Sequence, residues 1–482
     1  MGMENIEHHD GNSEVLKSPF SRIYLLPQTE QIINCAMGLK NPIDIDALKK
    51  AFSNSIMLNH PRFCSLMVQD HKGVDRWETT NVNIDDHVII HPNQPTSTEN
   101  LPEGGDEDQE TDHINAYLAD ISVSTPLSRN KPLWEIHVLS GMKCVVLRVH
   151  HALGDGASLM SMLSACFGKK SCDDHKNNVG KDGHAIRKKR SWKEKSVWGL
   201  IKTLWYTIVF GLRLLGKVLW VKDTESVISG GNGVELWPRL LVTAKFKLDD
   251  FKFVKMAMPS ATVNDVLLGL ISSGLSKYME IKSPKAMLQG LQVTGIVVVN
   301  LRKNSAFQGM TNVVGVSSSL RSSSWGNKTG LILQPVYCCN GIHPLEHVKI
   351  MKTIMDQKKQ SFEAHLPYIF LKLFSYCFGP KVASWFSNKV LFNTSFLISN
   401  IMGPSDVLLI GDNPVTFLRV NISAQPHALT MHLVSYGGNA DLQVMVARDI
   451  IHDPQFLANC IQESLTEMKN CITQENKQIS IC

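Results

Sequence analysis

The sequence offers little that could bind a metal ion or form a disulfide framework. Its 11 cysteines include no CxxC pair, and none stands at the Cys/His spacing of a zinc site. The cysteine count is odd and an apolar segment near Met1 is lacking, so we expect a reducing, cytosol-facing location. We therefore predict that the protein holds no metal.

Charged residues are also sparse, at 19% of the chain, and the net charge of +5 is unevenly distributed. Residues 169–195 hold ten lysines and arginines but only four acidic residues, so the remainder is nearly neutral. A protein that binds nucleic acid usually spreads basic residues over a folded face, among aromatic side chains. We therefore expect no nucleic-acid partner. The local cluster instead indicates contact with an anionic surface at one place.

Signals for lipid attachment and glycosylation are weak. Ile6 stands where an N-myristoylation signal needs Ser or Thr, and Cys482 is not followed by the residues of a prenylation box. Asn327, Asn393 and Asn421 each begin an N-x-Ser/Thr triplet. Such triplets occur often by chance, so we give these three little weight.

The length of the chain indicates two domains, because 482 residues exceed the size at which a single core stops growing. Residues 1–168 and 226–482 each alternate helix-like and strand-like patterns. Residues 169–225 between them combine a basic linker with an apolar helix at about 196–220. The sequence thus predicts the α/β class, with two domains and one additional helix.

Apolar periodicity predicts individual elements. Asp44 is the expected N-cap of a helix that carries Leu48 and Phe52 on one face. Strands are predicted in "HVIIHP", "WEIHVLSGMKCVVLRVHH", "LQVTGIVVVNLR", "TSFLISNI" and "ADLQVMVARD", and helices in "GASLMSMLSACFG", "ATVNDVLLGLISSGLSKYM" and "IHDPQFLANCIQESLTEMKNCI". The acidic stretch Glu103–Asp112 is expected to be a solvated loop, which is the usual state of a charge run.

The apolar segment from Ser196 to Trp220 has three interpretations. A membrane span needs about 20 apolar residues with few charges, but the longest uncharged run here is Thr203–Leu212. Lys202, Arg213 and Lys217 share one helical face with Tyr206, and apolar residues with several tryptophans cover most of the rest. This pattern favours a helix that lies in the membrane interface or re-enters it. A single span and a helix buried in the protein remain open as alternatives.

Two adjacent histidines, His150 and His151, end an apolar strand pattern. Neighbouring side chains of a strand point to opposite faces, so only one imidazole can face a given pocket. Gly154 and Gly156 permit a sharp turn and leave room beside the imidazole. Imidazole is the best general base near neutral pH, whereas Asp155 in a tight turn is better suited to fixing the loop. A structural histidine followed by a turn is the competing interpretation.

The stretch "HHALGDG" is similar to the HHxxxDG signature of the CoA-dependent acyltransferase superfamily. Further blocks occur in the order found in the plant wax ester synthase/diacylglycerol acyltransferase family, and the chain resembles that family over nearly its whole length. These blocks are "NKPLWEIHVL", "TVNDVLLGLISSGL", "VVVNLR", "GMTNVVGVSSSL" and "SNIMGP". The "DFGWG" block of the plant HxxxD acyltransferases is absent, which argues against that branch.

This resemblance implies two chloramphenicol-acetyltransferase-like α/β domains with the active-site channel between them. It also implies that His151 is the base that takes a proton from an alcohol, which then attacks the thioester of an acyl-CoA. Acyl-CoA is a substrate, and no bound cofactor is expected. Asp155 is implied to anchor the loop through an arginine; Arg22, Arg129 and Arg148 are the candidates. His150 and Gly156 would support the site, and the amides that begin the following helix could favour developing negative charge.

Asn264 and Asp265 match a second block of the family, and two interpretations of them stay open. They could cap a helix in its first turn, because Thr262 and Asn264 are both good capping residues. Alternatively, they could contribute to the channel or to the oxyanion. His137, Cys144 and His432 are expected to be ordinary strand residues.

The leading hypothesis is an O-acyltransferase that makes wax esters from acyl-CoA and long-chain alcohols, with diacylglycerol as a second acceptor. The apolar helix fits this hypothesis, because both acceptors reside in bilayers. We expect the protein at the endoplasmic reticulum membrane, with the plasma membrane as a second location. The alternatives are acyl transfer to a soluble phenolic or amine acceptor and a non-catalytic lipid-binding protein of the same fold.

Overall fold

Two large β-sheets form the framework around the candidate site. A computed structural model describes residues 13–15, 19–69, 71, 75–91, 107–124, 126–170, 197–231, 233–288, 290–302, 325–339, 341–404 and 406–481. Within these residues the strands form a seven-stranded, a six-stranded and a small three-stranded sheet. The α/β class predicted from the sequence is confirmed.

The helices and strands before the basic linker match most of the predicted elements. They are β1 (Ser13–Val15), α1 (Pro19–Tyr24), β2 (Ile32–Leu39), α2 (Ile45–Ser53), β3 (Ser65–Gln69), β4 (Asp75–Thr79), β5 (Val88–His91), α3 (Glu107–Ser124), β6 (Trp134–Leu139), β7 (Cys144–His150), α4 (Gly156–Cys166) and β8 (Gly168–Lys170). Asp44 caps α2 by accepting a hydrogen bond from the amide of Ala47, as predicted.

The prediction of a loop at Glu103–Asp112 is wrong from Glu107 onward, because α3 begins there; residues 103–106 lie outside the described part. Glu107 and Asp108 both contact Lys245, at 3.2 and 2.9 Å. Acidic residues in a first helical turn are favoured by the helix dipole. The charge run therefore begins a helix.

The elements after the linker confirm the strands and helices predicted there. They are α5 (Val197–Leu219), β9 (Arg239–Lys247), α6 (Leu248–Met256), α7 (Val263–Lys282), α8 (Pro284–Leu288), β10 (Gln292–Asn300), β11 (Thr329–Tyr337), α9 (Pro344–Lys359), α10 (Leu366–Phe378), α11 (Pro380–Phe392), β12 (Phe396–Met402), β13 (Val407–Ile410), β14 (Asn413–Ile422), β15 (Leu429–Tyr436), β16 (Asn439–Ala447) and α12 (Pro454–Ile481).

The seven-stranded sheet combines strands from both halves of the chain. Its order is β5-β6-β7-β2-β14-β13-β8. Strand β14 pairs antiparallel with β2, for example Asn421 with Asn34, and β2 pairs antiparallel with β7. The segment that contains β13 and β14 therefore crosses from residues 226–482 into the sheet built mainly by residues 1–168.

The six-stranded sheet has the order β11-β10-β12-β15-β16-β9, with β10, β12 and β15 parallel to one another. Side chains alternate between its faces. On β10, Val293 packs into a core that also contains residues of α6, α7, α9 and α12. On the opposite face, Ile296 packs with Leu214 of α5 and Val390 of α11. Both faces are thus covered by helices.

One face of helix α5 packs against the rest of the protein, and another face is exposed. Thr203, Phe210, Leu214, Lys217 and Val218 are buried, whereas the tryptophans and many leucines of the helix are exposed. By length and composition α5 could cross a membrane. The exposed apolar side chains argue against a helix buried in the protein.

The predicted polar stripe on α5 is correct for Lys202 and Arg213, which are exposed, but wrong for Lys217. The Lys217 ammonium lies 2.5 Å from the Asp223 carboxylate and donates to the Asn393 carbonyl oxygen at 2.9 Å. These partners replace water around the buried cation. Lys217 therefore attaches the end of α5 to the C-terminal part of the fold.

Candidate active site

His151 lies at the end of β7 and lines a cavity of about 280 Å³ between the two large sheets. Its backbone amide donates to the Gln31 carbonyl oxygen at 2.8 Å, which continues the pairing of β7 with the chain before β2. The Tyr24 ring lies against the imidazole, with 4.3 Å between ring centroids. His150 does not line the cavity, so the two imidazoles have different surroundings, as predicted.

The His151 side chain is held by Asn327. The amide oxygen of Asn327 is 3.0 Å from Nδ1 of His151, and the amide nitrogen of Asn327 donates to the His151 carbonyl oxygen at 2.8 Å. This double contact assigns the proton to Nδ1 and leaves the Nε2 lone pair free. Burial lowers the pKa of His151 below its ordinary value, against the opposing charge of Asp155. The imidazole is thus neutral near pH 7 and able to accept a proton.

His150 has a structural environment. Its Nδ1 accepts a hydrogen bond from the Ala152 amide at 3.0 Å, and its Nε2 is 3.4 Å from a Glu30 carboxylate oxygen. Burial lowers the pKa of His150, while Glu30 acts in the opposite direction. These contacts orient the backbone that leads into the turn after β7.

Asp155 caps α4 and binds Arg302. Its carboxylate accepts from the Ser158 amide at 2.9 Å and from the two terminal guanidinium nitrogens of Arg302 at 2.9 and 3.0 Å. The Lys328 amide adds a further bond at 2.9 Å. The three candidate partners Arg22, Arg129 and Arg148 are therefore wrong. Arg302 follows β10, 147 residues from Asp155, so the pair joins the loop after His151 to the second half of the chain.

Gly154 and Gly156 lie where packing is tight, and their backbone conformation does not call for glycine. Neither has a φ angle in the left-handed region. A Cβ atom on Gly156 would lie 3.1 Å from the Ile401 side chain, and one on Gly154 would lie 3.2 Å from Ser158 and 3.3 Å from Trp325. Ile401 and Trp325 belong to the second half of the chain. The glycines thus allow the two halves to approach beside His151.

The cavity wall is largely apolar, with a few polar side chains from the second half of the chain. These polar residues include Asn300, Ser399, Asn400, Gln425 and His432. The expectation that His432 is an ordinary strand residue is wrong in this respect, because it lines the same cavity as His151. The sequence signal that could have found it is a lone histidine in the alternating apolar strand "LTMHLVSY".

Asn264 and Asp265 begin α7 and are not among the residues that line the cavity in the described part of the chain. Asp265 forms a capping box with Thr262, and its second carboxylate oxygen is 3.2 Å from the Lys359 ammonium. The capping interpretation is confirmed for this turn, with Thr262 as the cap. Asn264 accepts a hydrogen bond from Asn400 at 2.5 Å, and Asn400 does line the cavity.

The asparagines of the three N-x-Ser/Thr triplets are buried and hydrogen-bonded. Asn327 binds His151, Asn393 donates to the Lys217 carbonyl oxygen, and Asn421 accepts from Asn34 at 2.8 Å. The amide nitrogens of Asn327 and Asn393 are therefore engaged, whereas that of Asn421 is buried without a hydrogen-bond partner among the described residues. Among the described residues, no group of three or more His, Cys, Asp or Glu side chains could hold a metal ion.

Two α/β halves that enclose a cavity, with a histidine at the end of a strand on its wall, form the fold of a chloramphenicol-acetyltransferase-like acyltransferase. Comparisons with known proteins agree with this class. The model of the wax ester synthase/diacylglycerol acyltransferase catalytic domain matches residues 60–204, and that of the WS/DGAT C-terminal domain matches residues 325–469.

Relatives match over nearly the full chain. Wax ester synthase/diacylglycerol acyltransferase 4 of Arabidopsis thaliana is 30% identical, with 98% of this chain and 94% of that protein covered. Number 10 from the same plant is 31% identical, with 95% and 97% covered. The chain belongs to the wax ester synthase/diacylglycerol acyltransferase family, as the sequence resemblance predicted.

Solved structures share the fold at low identity. The wax ester synthase/diacylglycerol acyltransferase from Marinobacter aquaeolei VT8 gives a TM-score of 0.56 at 16% identity, over 95% of this chain and 99% of that chain. Trichothecene 15-O-acetyltransferase from Fusarium sporotrichioides gives 0.56 at 13% identity, over 95% of each chain. These matches support the predicted fold of two chloramphenicol-acetyltransferase-like domains.

Proposed function

We propose that the protein transfers a fatty acyl group from acyl-CoA to a long-chain alcohol, and also to diacylglycerol. The observation that carries this proposal is the contact of His151 Nδ1 with Asn327, which leaves Nε2 as a free base in the cavity. The names of the relatives, wax ester synthase/diacylglycerol acyltransferase, include both acceptor classes.

The reaction needs one proton acceptor and no covalent enzyme intermediate. Nε2 of His151 takes the hydroxyl proton of the alcohol as its oxygen bonds to the thioester carbon. The tetrahedral oxyanion then collapses, the carbon–sulfur bond breaks, and the CoA sulfur leaves with the proton that His151 had accepted. The products are an ester and free CoA. Asp155 and Arg302 hold the loop, and His150 and Gly156 support its position.

The character of the cavity supports a fatty substrate. Its wall includes many aliphatic and aromatic side chains, namely Phe20, Ile23, Ile33, Val298, Leu331, Leu371, Leu391, Leu397, Ile401 and Ile422. An apolar wall favours acyl and alkyl chains, because their burial removes apolar surface from water. The same wall disfavours a soluble phenolic or amine acceptor, which carries less apolar surface.

The exposed face of α5 supports a membrane location for the enzyme. Trp198, Leu204, Trp205 and Leu212 are all more than half exposed, and an interfacial helix buries such side chains among lipid headgroups. Lys202 and Arg213 add attraction to anionic lipids. The basic cluster at residues 169–195, of which 171–195 lie outside the described residues, would add to it. We assign the protein to the endoplasmic reticulum membrane and also to the plasma membrane, with its catalytic part facing the cytosol.

Turnover by the purified full chain tests the proposed function. Palmitoyl-CoA and hexadecanol, supplied in detergent micelles, should release free CoA and form the wax ester, while a His151→Ala variant should release little. Equal turnover by that variant would show that His151 is not the base. Binding of acyl-CoA by the wild type without any product would favour a non-catalytic lipid-binding protein. Adding diacylglycerol together with hexadecanol would measure the preference between the two acceptors.

A further inference from the structure

Helices α5, α10 and α11 form one layer over one face of the six-stranded sheet. Leu214 of α5 and Val390 of α11 pack on Ile296 and Leu397 of that sheet, and Phe370 of α10 packs against the same cluster. The alternate residues of β10 and β12 pack against helices on the opposite face. The outer surfaces of the three helices therefore all point away from the sheet on the same side.

The outer surface of α10 and α11 is strongly apolar. Its exposed large side chains include Ile369, Leu373, Tyr376, Phe378, Val382 and Trp385. Tyr376 is 91% exposed. Soluble monomers rarely expose large apolar patches, and those that do generally use them to bind a partner or a membrane. The neighbouring exposed face of α5 extends this patch.

The charges of the layer indicate which partner it fits. Helices α5, α10 and α11 contain no Asp or Glu, and their exposed basic residues are Lys202, Arg213, Lys372, Lys381 and Lys389. An apolar surface that carries only positive charge matches a bilayer with anionic headgroups.

The inner surface of the same layer lines the cavity of His151. Tyr368 and Leu371 of α10 and Asn388 and Leu391 of α11 are part of the cavity wall. A single layer of helices thus separates the candidate base from the apolar exterior. We propose that α10 and α11 lie in the membrane surface beside α5, and that the lipid acceptor passes between these helices directly into the cavity. This inference rests on the proposed acyl transfer.

Charged substitutions on the outer surface test this proposal. Leu373→Glu and Trp385→Glu each place a carboxylate on the proposed membrane face. Met256→Glu on α6 and Ile281→Glu on α7 are matched controls, because those side chains are 75% and 61% exposed on helices that pack against the other face of the sheet. The probes are phosphatidylcholine vesicles with and without phosphatidylserine, and hexadecanol supplied either in such vesicles or in detergent micelles.

We expect the α10 and α11 variants to float with vesicles roughly tenfold less than the wild type and to turn over vesicle-borne hexadecanol roughly tenfold more slowly. Turnover in micelles should be unchanged, and both controls should match the wild type. Wild-type flotation and turnover by Leu373→Glu and Trp385→Glu would overturn the proposal, and so would loss of flotation confined to a Trp205→Glu variant of α5. A wild type that is inactive in micelles would instead contradict the acyl transfer itself.

A second, independent observation concerns His432 on β15. Met431 and Leu433 point into the helix-covered core, so His432 points to the other face of the strand, where it lines the cavity. The side chain is fully buried, and neither ring nitrogen has a hydrogen-bond partner among the described residues. A buried polar group without a partner is costly, and such groups cluster where a ligand completes them.

His432 is suited to donating a hydrogen bond rather than to accepting a proton. Burial, together with the nearby His151, lowers its pKa to about 4, so the imidazole stays neutral and keeps one N–H donor. The thioester carbonyl oxygen gains negative charge during attack, and a fixed donor in an apolar cavity stabilises that charge. We infer that His432 donates its N–H to this oxygen. This inference also rests on the proposed acyl transfer.

Kinetics of His432 variants test the assignment. His432→Leu should lower kcat about 100-fold with little change in KM for either substrate, and His432→Gln, which keeps an N–H donor, should recover part of the loss. Thr430→Val is the matched control, because Thr430 lies on the same face of β15, is equally buried and does not line the cavity; it should match the wild type. An unchanged kcat in His432→Leu, or an effect on KM for the alcohol alone, would overturn the assignment.

Discussion

Arg302 binds the Asp155 carboxylate with both terminal guanidinium nitrogens, across 147 residues of sequence. The same guanidinium also contacts Ser158 and the Gly326 carbonyl oxygen. Both side chains of the pair are almost fully buried. The loop after His151 is therefore held by a residue that belongs to the other half of the protein.

Breaking this pair should destabilise the protein and abolish turnover. Arg302→Leu leaves the Asp155 carboxylate buried without its cation, which typically costs about 3–5 kcal/mol. Arg302→Lys keeps the charge but loses the two-point geometry, so we expect a smaller loss. Thermal unfolding and kcat measure both effects. Arg448→Leu is the control, since its pair with Asp449 is exposed; a similar loss of stability there would show that burial is not the cause.

Replacing Asn327 should affect the rate more than the stability of the substrate complex. Asn327→Leu removes the acceptor that holds the His151 proton on Nδ1, so a fraction of the imidazole adopts the wrong tautomer. We expect kcat to fall by about 10²-fold or more, with KM nearly unchanged. Asn327→Asp places a carboxylate at the same position and should raise the pKa of His151, moving the acid limb of the rate profile upward. If the acid limb of the rate profile does not move in the Asn327→Asp variant, the contact between Asn327 and His151 is contradicted.

The pH dependence of the rate should reflect the buried base. Because burial lowers the pKa of His151 below 6.5, the imidazole is protonated, and unable to accept a proton, only at more acidic pH. The acid limb of kcat/KM should therefore lie below pH 6.5. A limb at or above 6.5 would mean that another group controls the rate. The measurement is a pH series at fixed ionic strength with hexadecanol in micelles.

Stability should decline in the same acidic range. His60, His427 and His432 are buried with pKa values lowered to about 4, 3 and 4, so the folded state binds fewer protons than the unfolded state below pH 6.5. Stability therefore rises with pH in this window and is lost as the pH falls from 6.5 towards 4. Urea unfolding midpoints from pH 7.5 to about 4.5 measure this, and the decline should be smaller in a His427→Gln variant. A flat profile would contradict the burial of these imidazoles.

Gly156→Ala should slow the enzyme through a contact with the other half of the chain. The added methyl group would lie 3.1 Å from the Ile401 side chain, which forces one of the two to shift beside His151. Shortening that neighbour in the double variant Gly156→Ala, Ile401→Val should restore part of the rate. The single Ile401→Val change is the control. If the double variant is no faster than Gly156→Ala, then space is not what requires the glycine.

Local patterns predicted most of the elements, and the family resemblance indicated His151 as the base, but neither predicted the residues that contact His151 and its loop. The strand that ends at His150, the helix capped by Asp44 and the role separation of the two histidines follow from neighbours a few residues apart. Arg302 and Asn327 approach the loop only after the two halves of the chain fold together. No spacing in the sequence encodes such contacts, and Asn327 resembled a glycosylation triplet.

The sequence-based expectations that were wrong have the same cause, since each depends on a contact with a distant part of the chain. Lys217 was expected on a solvated stripe, but Asp223 and the Asn393 carbonyl group replace its water. His432 was expected to be an ordinary strand residue, because alternation alone does not reveal what faces each side of a strand. Residues 107–112 were expected in a loop, but their charges are placed where a helix begins.

The passage of β13 and β14 into the sheet of the other half has a mechanical consequence. The two halves of such a protein cannot separate to admit a substrate, because separation would remove strands from a sheet. A gene cut at the linker would encode two fragments, and the first would lack two strands of its sheet. Lipid substrates must therefore enter and leave through movements of helices and side chains at the rim of the cavity, while the sheets that align the reacting groups keep their positions.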